Sequence, residues 1–575
     1  MKQKLLERLI LALLCLVVAQ VGRAADDEAS YVAQIGATKY QTLAEAIAAA
    51  PTDGTATTIT LLADVTGAST TANTPDFTIP KSANITLDLN NHTVTGSGWG
   101  SVFLSEGNFT IEDNSSAKDG IITGGYAKGW NAETKMFYTA DEASARTDIM
   151  NITNVSVGGA VNVQAGKLTV NGGTFNGNYA YQGGAIYVVD AENFAKYNAQ
   201  ELIDIPNPVS ATLNSCTITG NCTYQQAGGV GAYPYAHLII NDGALIADNS
   251  TYAEGGGVVV ARTSVGTMNG GVVRGNKAHH GGGVYATGFF TMNGGLIEKN
   301  YAEYCTTHAL TGSQTLYGAG LCIAGIYDKL GKAILKGGTV KDNTFVPTTQ
   351  ADLYYGAGVF VTSGAPVSLY DGFEVAGNNI VENDVKTLND IQVRDDGYFI
   401  LEDDLTHDML VSVAFGHGLL VDPNGHAYDS HISTDADQLS VMDGKLYGLS
   451  NTSAADAVCQ IRISDASDEY IYFPSSEAGI AMMGRAADHT LTLLKDITDF
   501  YQTNIPYGNN TIDLNGHAIT ASSTANENSF GYMYMLTAMS QSENKSALTI
   551  KNGTIDGNKR IGCLKINGYC TVTAS

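Results

Sequence analysis

Between Gly158 and Val361 the chain carries seven copies of one step, a glycine pair or Gly-Ala-Gly followed by an aliphatic residue. In six of these places an apolar-x-x-Asn tetrad stands upstream. Clear copies are Phe175-Asn-Gly-Asn178 with Gly183-Gly-Ala-Ile186, Ile246-Ala-Asp-Asn249 with Gly255-Gly-Gly-Val258, and Val273-Arg-Gly-Asn276 with Gly281-Gly-Gly-Val284. Asn249 and Asn276 are 27 residues apart. A period of that length constrains the chain to a stacked solenoid.

The repeats themselves point to an all-β solenoid. Strand-like runs are short and closed by Asn, Asp or Gly, as in Thr58–Leu62, Ile85–Leu89, Phe109–Ile111 and Leu168–Val170. In Thr267–Asn276, Met268 and either Val272 or Val273 are expected to point inward, with a turn at Asn269-Gly270-Gly271. Asn178, Asn221, Asn249, Asn276, Asn300, Asn343 and Asn378 hold matching positions and are expected to bond one another along the axis as an amide ladder. At about 4.8 Å per coil, a dozen coils make a rod of roughly 55 Å. From the Asn to the aliphatic residue takes 8 residues at 178–186 and 276–284, 9 at 249–258, 21 at 300–321 and 16 at 343–359. These insertions, with another at 189–208, predict loops standing off the coil.

The rest of the chain fits around this rod. Lys2, Lys4 and Arg8, the apolar run Leu9–Ala19 and Gly22-Arg23-Ala24 make residues 1–24 a secretory signal. Residues 25–57 form a cap region, in which Leu43–Ala50 is a short helix with capping-box spacing at Thr42 and Glu45. Residues 58–449 form the β-helix and 450–470 a linker. A second β-helix module, expected to be incomplete, occupies 471–575, because Leu491–Thr498 echoes Ile59–Thr66 and Ile512–His517 echoes Leu87–His92.

After the signal, 27 basic and 56 acidic residues leave a charge of −29. That charge argues against nucleic acid and anionic lipid as partners. No further stretch is long and apolar enough to span a bilayer. Seven cysteines remain without zinc-type spacing, and Cys216 and Cys322 read as small core residues. No cofactor is implied; the acidic turns permit calcium, although no Asp-x-Asp-x-Asp-Gly loop is present.

The Phe-x-x-Asn and Gly-Gly-Ala-Ile elements of 155–380 resemble the repeats of bacterial polymorphic outer-membrane proteins and related adhesin-like β-helix proteins. The resemblance implies a right-handed parallel β-helix, surface exposure and adhesion. Against the family pattern, neither a C-terminal membrane barrel nor a wall anchor is expected from this sequence.

Three functions are compatible with such a rod. The first is a non-catalytic secreted or cell-surface protein that binds an extracellular glycan or a host or cell-surface protein. Tyr181, Tyr224, Tyr252, Tyr317, Tyr354 and Tyr355 stand just before the glycine steps, with His279 and His280, and are expected to form one aromatic column able to stack on sugar rings. The competing account is rings stacking on each other over the glycine turns. The second function is a polysaccharide lyase or glycoside hydrolase, since pectin-degrading enzymes of this fold use an Asp-Asp pair and a Gly-His-Gly phrase. Asp395, Asp396 and His417 match those phrases, and paired carboxylates suit acid-assisted hydrolysis. Arg462-Ile-Ser lacks the lysine of that pattern, and Asp403-Asp404 shows how readily acidic pairs arise here. The third is a structural stalk. The adjacent His279 and His280 point to opposite sides of a strand and make a poor chelate.

Overall fold

Period-two alternation inside each repeat becomes four short strands that form the sides of a coil. In one coil these are Lys167–Val170, Thr174–Asn176, Tyr179–Gln182 and Ile186–Val188, and Ser210–Leu213 returns to the first side. Each strand pairs in parallel with its counterpart one coil on, as in Leu168 opposite Ala211 and Phe175 opposite Ile218. The protein is therefore a parallel β-helix, as the repeats predict. Among the described residues, twelve parallel rungs of the first side run from Ala56–Leu61 to Leu419–Val421.

The computed structural model describes residues 31–144, 146–151, 154–197, 205–303, 317–324, 332–346, 356–362, 366–382, 384–393, 398–402, 409–413, 419–421, 432–434, 438–442, 445–449, 454–462, 470–473, 490–500, 503–505, 509–521, 534–539, 546–557, 562–567 and 570–574. No described helix is long and apolar enough to cross a membrane.

Inward residues fill the coil. The apolar residue of each tetrad is buried, including Phe175, Ile218, Ile246, Val273, Ile297, Val340 and Val375. Met268 and Val273 point inward and Val272 is half-buried on the outer side. Large and small residues alternate along the axis. Phe290 stacks on Gly266, where a Cβ would come within 3.3 Å of the ring. Close packing of this kind leaves little room for volume changes.

The helix Leu43–Ala49 covers the open end, as the capping-box spacing predicts. Glu45 N–H donates to Thr42 Oγ1 at 3.1 Å and Thr42 N–H to Glu45 Oε2 at 3.2 Å. Leu43, Ala46 and Ile47 join the core beside Ile59 and Phe77. The strand Ala33–Ile35 lies antiparallel to the first rung and pairs outward with Thr38–Tyr40.

The seven tetrad asparagines form the amide ladder. In the first six, the backbone N–H and the side-chain Nδ2 both donate to Oδ1 of the next asparagine, at 2.8–3.1 Å. Nδ2 also donates to a backbone carbonyl, as from Asn276 to Ile246 at 2.9 Å. Gly125 N–H donates to the first asparagine, and Asp390 Oδ1 accepts both bonds from the last at 2.9 Å. All seven are at most 1% exposed, so these bonds satisfy groups that water cannot reach. A second, outer ladder runs through Asn171, Asn214, Asn241, Asn269 and Asn293 at 2.7–2.8 Å.

The glycine step is required by that inner ladder. Gly281 has φ +61°, which disfavours any side chain. A Cβ on Gly283 would fall 2.8 Å from Nδ2 of Asn300. The Asn tetrad and the glycine step are thus two halves of one contact between coils.

The later strands repeat the opening of the chain. Cys459–Arg462 pairs antiparallel with both Tyr470–Phe473 and Thr490–Leu493, and Thr490–Leu493 then begins a parallel series through Asn509–Asp513, Ser546–Lys551 and Cys570–Ala574. The corners match atom for atom. Thr93 N–H and Ala518 N–H each donate at 2.9 Å to Asp64 and Asp496, and those carboxylates face His92 and His517. The strand Cys459–Arg462 lies inside the stretch expected to be a linker, and its buried Cys459 and Ile461 show that the second set of strands starts there.

Candidate ligand-binding face

The third side carries three of the four predicted tyrosines that are described and is the least regular. It begins only at Tyr179–Gln182; one coil earlier its place is taken by an excursion over residues 124–158. The ends of the excursion pair with that first strand: Tyr179 N–H donates to Gly125 O at 2.9 Å, Tyr181 N–H to Ser156 O at 2.6 Å, and Val157 bridges Gln182. Between these ends, Trp130–Asn131 and Met136–Phe137 form a small antiparallel hairpin, followed by the helix Ala140–Ser144.

The hairpin folds onto the tyrosines. Tyr181 lies 5.7 Å from Tyr224, and Tyr224 lies 5.9 Å from Tyr252, edge to face. Phe137, itself buried, meets Tyr224 at 6.3 Å and Tyr252 at 6.1 Å, both edge-on. Trp130 stacks flat on Tyr179 at 4.6 Å and 16°. Tyr126, Met150, Val155, Ala180 and Cys222 form the floor, and Trp99 packs at the margin. Tyr179, Tyr181, Tyr224, Tyr252, Trp99 and Trp130 are all half-buried.

Tyr317 does not join this group. It stacks on His280 at 4.6 Å and on Phe360 at 5.0 Å, in the neighbouring column formed by Gln182, Gln226, Glu254 and His280. The single aromatic column expected from sequence is therefore two. Spacing explains the split. Tyr181 stands two residues before its glycine step, Tyr252 three, Tyr224 four, and His280 and Tyr317 one. A register shift between Ala180 and Gln182 absorbs the extra residue. Tyr354, Tyr355, Asp395, Asp396 and His417 lie outside the described residues.

The second column is polar and closely covered. Gln182 Nε2 donates to Gln226 at 3.1 Å, and Gln226 Nε2 to Glu254 at 3.0 Å. Burial pushes the Glu254 carboxyl up, against the hydrogen bond from Gln226. Burial, followed by the neighbouring His279, holds His280 well below the ordinary imidazole range. Tyr233, Tyr285, Cys322 and Phe360 lie on the outer side of the fourth sheet beside this column, and burial raises the first two hydroxyls and the thiol. Cys322 is thus a buried residue of the outer side, whereas Cys216 belongs to the main core. Neither thiol is poised to react, since both are held in the unreactive protonated form.

Compared with family models, curated proteins and solved structures, the chain matches none. Function must therefore be argued from the face itself. Among the described residues, no three His, Cys, Asp or Glu side chains are grouped so as to hold a metal. The hairpin side offers flat rings fixed by their neighbours, with hydroxyl and amide groups beside them. Sequence reasoning missed Trp99, Trp130 and Tyr179. The available signal was that one tryptophan of the chain stands before, and the other inside, the long insertion that precedes the first full repeat.

Proposed function

We propose that this is a non-catalytic, exported β-helix protein, secreted or held at a bacterial cell surface, that binds an extracellular glycan or protein through the aromatic part of its third side. The observation that carries the reading is the group Trp130, Tyr179, Tyr181, Tyr224 and Tyr252, built from an excursion and three successive coils and left half in solvent. Rings of this kind offer apolar faces with polar handles. Residues 1–24 support export, and the Asn tetrads and glycine steps support kinship with adhesin-like β-helix proteins. The long rigid coil supplies a rod on which to display such a face.

Native electrophoresis through gels cast with different polysaccharides tests this, with and without calcium. The expected result is slowed migration with the polysaccharide intact, relieved in the double variant Tyr181→Ala, Tyr252→Ala. Retardation that the double variant leaves unchanged while its melting point falls would reduce these rings to packing. A cleared zone would turn attention to Asp395, Asp396 and His417 as hydrolytic groups.

A further inference from the structure

We infer that ligand contact on this face is centred on Trp99, Trp130 and Tyr179, and that the ligand is an uncharged saccharide. This rests on the binding reading above and narrows it.

Both tryptophans of the chain pack against this one cluster. Neither belongs to the main core of the coil. The coil itself closes through Gly125 and Val157, so the hairpin that carries Trp130 is surplus to the solenoid. Its rings are nevertheless held firmly. Tyr179 covers one face of Trp130 at 4.6 Å, and Phe137 meets it edge-on at 5.1 Å and 81°. Tyr224 and Tyr252 hold Phe137 in turn, so those tyrosines support the patch from beneath. An indole fixed in this way loses little freedom when a ligand arrives. A pyranose offers what the patch can use: an apolar C–H face for the ring and hydroxyls for the polar margin.

Charge narrows the class of sugar. Residues 124–158 carry three cations (Lys128, Lys135, Arg146) and four anions (Glu133, Asp141, Glu142, Asp148) in a chain of net charge −26. Arg146 is already paired with Asp148 at 2.6 Å and lies over Tyr138. Uronates, sulfates and phosphates need free, clustered arginine or lysine donors, and among the described residues of this segment Arg146 is spent on Asp148, which Lys128 also faces.

Because the chain has only these two tryptophans, its intrinsic emission reports the patch directly. The full chain is titrated with cellohexaose, mannohexaose and maltohexaose, and with hexagalacturonate as the anionic counterpart. At least one neutral oligosaccharide is expected to shift or quench the emission saturably, with hexagalacturonate without effect. Trp130→Ala is expected to weaken that binding about tenfold. Trp130→Phe keeps a ring against Tyr179 and Phe137, and is expected to weaken binding about threefold with an unchanged melting point. A response to hexagalacturonate alone, or full affinity in Trp130→Phe, overturns the proposal. Retardation in polysaccharide gels with silent tryptophans also overturns it, yet leaves the binding reading standing. Silence in both assays removes both.

Discussion

Replacing Asn276 by Asp changes one NH₂ to an oxygen at the middle of the inner ladder. Asn276 Nδ2 donates to Ile246 O at 2.9 Å and to Asn300 Oδ1 at 3.0 Å, and Asn276 Oδ1 accepts from Asn249 N–H and Nδ2, both at 3.0 Å. The aspartate keeps the acceptor role and turns both donor contacts into oxygen facing oxygen. Two lost bonds cost about 2 kcal/mol, and burying the charge adds up to about 4 kcal/mol more at high pH. The cost depends on pH. An unfolded Asp titrates near about 4, and the buried one above it. Stability is therefore spared below the unfolded value and falls as pH rises toward the folded one. For a folded pKa of about 7, the loss at about pH 8.5 exceeds that at about pH 5.5 by roughly 2 kcal/mol. Urea titrations followed by circular dichroism at both pH values measure it, with amide exchange over residues 246–300 locating it. Asn269→Asp makes the same change in the outer ladder, where Asn269 is exposed, and is expected to cost less than about 1 kcal/mol. A pH-independent loss of under about 1 kcal/mol at Asn276, equal to that at Asn269, would refute burial as the source of the ladder's strength.

Gly281→Ala is expected to destabilise by about 2 kcal/mol, because φ is +61° and a Cβ would lie 2.6 Å from Val284 O; a urea midpoint equal to wild type would exclude this. Phe175→Ala removes a fully buried ring and is expected to cost about 3–5 kcal/mol by the same titration. Glu254→Gln extends the Gln182–Gln226 series and removes a carboxyl whose pKa burial raises. Ionising Glu254 opposes folding above the unfolded pKa, so the variant should melt higher than wild type at neutral pH and equally in acid. His280, held neutral by burial, contributes stability above its unfolded pKa that is lost on acidification, so His280→Phe should flatten the melting curve's dependence on pH below about 6.5.

Much of the fold was legible because the solenoid writes each coil in local sequence. The tetrad gives the inward residue and the ladder amide, and the glycine step gives the turn and the room for that amide. Capping-box spacing located Leu43–Ala49 by chemistry that spans only four residues. What the repeats did not show lies between them. The excursion 124–158 has no period, so nothing local announced that Phe137 would reach Tyr224 and Tyr252. The two aromatic columns were merged because offsets of one to four residues before a glycine look alike until the register shift between Ala180 and Gln182 sorts them. The strand Cys459–Arg462 was hidden by the polar residues around it, since its partners lie downstream at Tyr470–Phe473 and Thr490–Leu493.

The inner ladder runs one way. Each asparagine gives its backbone hydrogen and one amide hydrogen to the next member and, after the first, takes the same pair from the previous one, so a coil bearing Asn can be inserted or deleted with the pattern intact. Asp390 has no side-chain hydrogen to pass on, and the series stops at its carboxylate. The reach of this ladder is thus governed by the difference between an amide and an acid. One Asn-to-Asp exchange acts as a full stop at the end of the series and as a break anywhere within it.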